Sequence, residues 1–147
     1  MTKVIVSVVG IQKDVYGEEN RIESVAVGRH YFKNGVNYIS YQDNETAGME
    51  GTNTLLKISD DCVTLVRKGQ VEHTQVFKLS ETNTSLYRTP YGDITLTIMT
   101  NNLDISFGTS TGTINIGYEL VVDGQWQSAN KLHIKICNDN NVCSAVN

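Results

Sequence analysis

Arg67 is the side chain whose chemistry is hardest to place in this sequence. It shares a strand face with Val63 and Leu65. A guanidinium turned toward an apolar interior must meet a carboxylate or an anionic ligand, because an unpaired buried charge is costly. The alternative is that Arg67 ends its strand at a rim, with its stem packed and its head in water. Arg88 shares a face with Leu86 and carries the same two readings. Two arginines converging on one opening would suit a carboxylate or a phosphate. Tyr87 and Tyr91 could present phenols there. The run Thr89-Pro90-Tyr91-Gly92 also has a plain explanation as a turn, with proline fixing φ and glycine closing it. Tyr118 falls among Ile114, Ile116, Leu120 and Val122. It is expected inside, where its hydroxyl needs a partner. Arg67, Tyr87, Arg88, Tyr91 and Tyr118 are the candidate ligand contacts.

Catalytic and metal signatures are absent. His30, His73 and His133 are scattered, whereas a zinc site wants four ligands at tight spacing. No Ser-His-Asp or Cys-His order with a local signature occurs. His73, on the face of Val71, Phe77 and Leu79, is the histidine that could be internal and so the candidate for a shifted pKa in a lumen; His30 could face either way, and His133 is expected to be exposed. Asp60-Asp61 resembles a carboxylate pair, but adjacent strand positions point apart and a hairpin explains both. The segment Gly108-Thr109-Ser110-Thr111-Gly112 lacks the lysine and helix of a phosphate loop. No catalytic residue, metal or cofactor is assigned; the sequence leans away from an enzyme and leaves that question open.

The elements that must position these residues are strands. Ile94, Leu96 and Ile98 alternate with polar neighbours, as do Leu103, Ile105 and Phe107, and then Ile114, Ile116, Tyr118, Leu120 and Val122. That period puts one face in a dry interior and the other in water. Turn signals recur between the runs. Asn34-Gly35 predicts a tight hairpin, and Asp60-Asp61, Pro90-Tyr91-Gly92, Asn101-Asn102 and Asp123-Gly124 mark further turns. Lys13–Asn20 has room for one helical turn. About ten strands of ordinary length, joined by short links, predict an antiparallel up-and-down meander. Closure into a barrel would remove its unpaired edges. Residues 1–137 are expected to form one barrel domain, followed by a tail over 138–147. Strands 94–98 and 103–107 are expected to supply the aliphatic lining, and Trp126 to plug or flank a barrel end. Glu119, on the polar face, is expected to be solvated.

Composition narrows the partners. The chain has 147 residues, 39% hydrophobic and 19% charged, with a formal net charge of −4. The strongest basic cluster is Arg67-Lys68, too small for a nucleic-acid footprint. No apolar stretch is long enough to span a membrane as a helix. The run Val4–Ile11 reads as a first strand rather than a leader. The odd count of cysteines, Cys62, Cys137 and Cys143, favours reduced thiols and a cytoplasmic setting. A local bridge between Cys137 and Cys143 is conceivable. A homo-oligomer is compatible with the pattern but not indicated by it.

Several of these residues occur in a familiar order. Tyr38-Ile39-x-Tyr41, Gly48 in an acidic turn, Thr52 and Thr54, Arg67-x-Gly69, Phe77, Tyr87-x-Thr89-Pro90-Tyr91-Gly92, Thr100 and Tyr118-x-Leu120 follow one another as in the YwiB-like family. The sequence resembles these small bacterial proteins of unassigned function from Lys3 to Ile136. Departures are Gln42-Asp43, where an acidic pair is usual, and Leu79-Ser80, where a glycine is usual. The resemblance implies a calycin-like, lipocalin-type β-barrel and no catalytic residue. The expected function is therefore binding of a small, partly apolar or anionic molecule in the lumen. The alternatives are a filled barrel acting as a structural or interaction module, or an enzyme using the same lumen. A cavity of roughly 300 Å³ or more would favour binding.

Overall fold

The computed structural model describes residues 2–43, 52–69, 72–108 and 111–138. Ten antiparallel strands run in chain order: β1 (Thr2–Asp14), β2 (Glu19–Lys33), β3 (Val36–Asp43), β4 (Thr52–Ile58), β5 (Cys62–Lys68), β6 (His73–Lys78), β7 (Thr82–Thr89), β8 (Gly92–Phe107), β9 (Gly112–Val122) and β10 (Gln125–Asn138). Their order in the sheet is β6-β5-β4-β3-β2-β1-β10-β9-β8-β7. Every neighbour in sequence is thus a neighbour in space, and β1 joins the two halves by pairing with β10 from Val4↔Asn138 to Asp14↔Ser128.

The outer strands β6 and β7 meet to make the barrel nearly closed. Glu72 and Arg88 exchange backbone bonds of 3.0 and 2.9 Å. Beyond that bridge no ladder continues between the described residues of β6 and β7, and side chains take over. Asn83 donates to the Val76 carbonyl (3.4 Å), and His73 Nε2 lies 3.2 Å from Ser85 Oγ.

The hairpins follow local chemistry. Asn34-Gly35 has φ of 52° and 79°, and Asp123-Gly124 has 48° and 85°, the left-handed pair that a two-residue hairpin needs. Residues 13–20 form no helical turn. Asp14 Oδ1 instead accepts from the amides of Tyr16 and Glu18 and holds a hairpin. Thr89 Oγ1 accepts from the Tyr91 amide and donates to the Gly92 carbonyl, which fixes the Pro90-Tyr91 turn.

The expected turn at Asn101-Asn102 is a bulge within β8. Leu96, Ile98 and Thr100 face inward at even positions, whereas Leu103, Ile105 and Phe107 do so at odd ones. The register shifts between Thr100 and Asn102, leaving Asn101 and Asn102 both exposed. One extra residue thus returns the apolar set to the interior without breaking the strand. Opposite stands Gly117, where an added Cβ would lie 3.0 Å from Asn101 Oδ1 and 3.1 Å from Asn102 Cβ. A side chain there would make Asn101 and Asn102 give by a few tenths of an ångström, so glycine suits the bulge best.

Inside, Val4 and Val6 of β1, Ile39 of β3, Leu56 and Ile58 of β4, Val63 and Leu65 of β5, Phe77 of β6, Ile98 of β8, Ile114 and Ile116 of β9, and Ile134 and Ile136 of β10 form one buried cluster. Each such side chain contributes about 1.5–3 kcal/mol through apolar burial. At the far end of β10 the expectation of a free thiol at Cys137 is corrected: Cys137 is disulfide-bonded, while Cys62 is free. The strand delivers Cys137 directly into the segment that carries Cys143, which lies outside the described residues.

Candidate functional site

Successive hairpins alternate between the two ends of the barrel, so each end has its own set of turns. One end carries Asn34-Gly35 and Asp60-Asp61. Its inward histidine, His30, is buried, donates from Nε2 to Asn37 Oδ1 (2.8 Å) and packs beside Phe107. The other end carries the Pro90-Tyr91 and Asp123-Gly124 turns and the polar part of the lumen.

Arg67 lies at that second end. It pairs across the sheet with Thr54 on one side and His73 on the other, which places it on the inward face with Val63 and Leu65. It is half-buried. Among the described residues the ion pairs are Arg21–Glu23 and Lys78 with Asp61 and Glu81; no described carboxylate pairs with Arg67.

His73 is 4% exposed. Its ring meets that of Tyr87 edge to face at 4.8 Å, and its Nδ1 is buried with no hydrogen-bond partner among the described residues. Burial, reinforced by the Arg67 charge, lowers its pKa to about 4. The ring is therefore neutral at pH 7. Tyr118 packs its ring on Phe77 at 5.0 Å. Burial pushes its phenol up, against the opposing pull of Arg67, so it stays a protonated donor. Thr52 Oγ1 and Thr100 Oγ1 are likewise buried without a partner among the described residues. Both residues alternate inward, and Thr100 stands opposite Tyr118 in the sheet.

Arg67, Tyr118 and Tyr41 line a cavity of about 200 Å³ at this mouth, whose apolar side is Val8, Ile22 and Leu132. Gln12, Asn20, Ser24 and Asn130 complete the polar side. The lining differs from the one expected. It comes from β1, β2 and β10: of the β8 side chains expected to form it, Ile98, Leu103, Ile105 and Phe107 pack in or against the buried cluster, and Ile94 is 36% exposed. The volume falls below the 300 Å³ mark set above as favouring binding, so volume does not favour the binding reading, and the space has room only for a compact guest.

The candidate contacts separate accordingly. Arg67 and Tyr118 share the cavity; Tyr87 is half-buried and packs on His73, and neither of these two lines the cavity. Arg88 is exposed and alternates outward, where its backbone closes the seam with Glu72. Tyr91 is 98% exposed at the hairpin on the same end. The structure does not bring these two to the cavity. Trp126 lies outside the barrel wall, where Nε1 donates to Glu119 Oε1 (2.9 Å). Glu119 is consequently half-buried rather than fully solvated. His133 is half-buried on the outer wall, with Nδ1 2.7 Å from Asn115 Oδ1. Sequence reasoning missed Tyr41 and understated His73, whose adjacency to Arg67 follows from strand register rather than from any local motif.

Among the described residues, no group of three or more His, Cys, Asp or Glu is placed to hold a metal ion, and no helix is long and apolar enough to cross a membrane.

Comparison with known proteins agrees on the fold. Residues 6–134 match the family described as a domain of unknown function (DUF1934). The chain is 25% identical over 118 residues to the uncharacterized beta-barrel protein YwiB of Bacillus subtilis (strain 168), covering 80% of this chain and 82% of that protein. It is also similar to the crystal structure of ywiB protein from Bacillus subtilis, with a TM-score of 0.84 at 23% sequence identity. That likeness covers 95% of this chain and 93% of the other.

Proposed function

The chain belongs to the family of domains of unknown function DUF1934, and from that premise we propose that it is a small-molecule-binding barrel of the lipocalin-like, calycin type. One observation carries this reading: a half-buried guanidinium faces the lumen with no described carboxylate beside it, at a mouth that is otherwise partly apolar. At this half-buried position the stem of Arg67 packs while its head can stay in water, and an anionic guest would take the place of that water as its partner. Arg67, Tyr118 and Tyr41 then orient it, with Tyr87 behind His73, while Val8, Ile22 and Leu132 take its apolar part.

The cytoplasmic setting expected from reduced thiols loses that support, because a disulfide is uncommon in a reducing compartment. The bonded Cys137 makes it necessary to test binding with and without reductant. Native mass spectrometry of the full chain purified from cells is the direct experiment. A co-purifying mass that is lost on denaturation is the expected result. A bare monomer in repeated preparations, under both redox conditions, would favour the filled-barrel alternative.

A further inference from the structure

We infer that the guest is a short-chain carboxylate, bearing one negative charge held by Arg67 and an apolar body set against Val8, Ile22 and Leu132. The inference rests on the lumen-binding reading and adds charge, chemical class and size.

Charge comes first. Arg67 lies on the inward face with Val63 and Leu65 and is the cation the cavity presents from its interior side. Lys131, the other cation touching the cavity, alternates outward and is exposed to water. His73 adds no charge at pH 7, because burial and Arg67 itself hold it at about 4. Tyr118 adds none either, since burial keeps its phenol protonated. The lumen side of the site therefore presents one positive charge, with neutral donors beside it.

Among the described residues no carboxylate pairs with Arg67, so a neutral guest would leave that charge without a described counter-ion. A dianion would bring an excess charge into the same poorly solvated space. A monoanion balances it, and a planar carboxylate can engage two N–H groups of a guanidinium in parallel. Neutral polar groups of the lining, the Tyr118 phenol and the side-chain amides of Gln12, Asn20 and Asn130, stand in the same cavity and can donate to the second carboxylate oxygen.

Size follows from volume. A cavity of about 200 Å³ corresponds to roughly seven waters at ~30 Å³ each. That room suits a carboxylate of about six to ten non-hydrogen atoms and excludes a long-chain fatty acid lying wholly inside.

Titration calorimetry on the full chain at pH 7 tests this with hexanoate, hexanamide and hexyl phosphate. Hexanoate is expected to bind at least tenfold tighter than hexanamide. Arg67→Gln should erase that preference and Arg67→Lys should restore part of it, with circular dichroism confirming that both variants keep their strands. Equal binding of hexanoate and hexanamide would overturn the charge assignment while leaving lumen binding intact. Tighter binding of hexyl phosphate would overturn the single-charge argument. Failure of all three, with a larger apolar carboxylate binding instead, would overturn the size. Failure of every guest, together with exclusion of an apolar dye from the lumen, would sink the lumen-binding reading itself.

Discussion

The two ends of this barrel each bury a histidine, and the surroundings differ. At one end His30 is 5% exposed, bonds through Nε2 to Asn37 and packs beside Phe107. At the other, His73 is 4% exposed and bonds through Nε2 to Ser85, but it stands beside Arg67 and its buried Nδ1 has no described partner. One bond each is what folding asks of a buried imidazole. The neighbouring cation adds an electrostatic cost at the second end alone. Equal burial with that one added charge separates the end packed for stability from the end that carries the polar lumen.

The comparison can be broken at the stable end. Ile58 is 1% exposed and belongs to the buried cluster. Ile58→Ala should cost about 2–5 kcal/mol, read as a drop in the denaturation midpoint at constant slope. A loss below ~1 kcal/mol would mean that this end is loosely packed and the contrast is false.

Acid sharpens the other side. Burial and then the Arg67 charge lower the His73 pKa to about 4 in the fold, against an ordinary 6.5. Above pH 6.5 the ring is neutral in both states and adds no slope. Between pH 6.5 and 4 the unfolded chain takes up a proton that the fold refuses, so stability falls as the pH drops through that window. The full effect is up to roughly 3 kcal/mol. In His73→Gln that contribution to the slope of unfolding free energy against pH should vanish. An unchanged slope would show that His73 is not held neutral.

The smallest effect has the opposite sign. Arg67→Met should leave stability unchanged or raise it by ~1 kcal/mol, because it removes a half-buried charge that has no described counter-ion. A clear loss in thermal unfolding would make Arg67 a structural residue and would remove the reason for a guest.

Much of the fold was legible because period is local. The alternation in β8 and β9 identifies the inward residues, and Asn34-Gly35 identifies its hairpin. The change of parity from Ile98 to Leu103 was equally visible, but a turn and a bulge produce the same shift. Only the partner strand, with Gly117 facing Asn102, tells them apart. Arg67 could be placed inward because Val63 and Leu65 mark its face. Arg88 could not be placed, because β7 offers one aliphatic side chain, Leu86, and that one is 42% exposed. The apposition of Arg67 to His73, and of both to Tyr118, comes from pairing between strands distant in sequence, which no local pattern encodes. Cys137 follows the same logic, since spacing alone allows a bridge without requiring it.

The seam between β6 and β7 makes the ring behave like a zip fastener. Its tab is the Glu72–Arg88 bridge, and its teeth are side chains rather than peptide groups. Deuterium should therefore enter this molecule unevenly. The amides of Thr74 and Val76 face a gap without a ladder and should exchange by small local openings. Those where β1 meets β10 should wait for the whole sheet to come apart. A wall that parts on one line lets the interior exchange its contents while the rest of the cylinder keeps its shape.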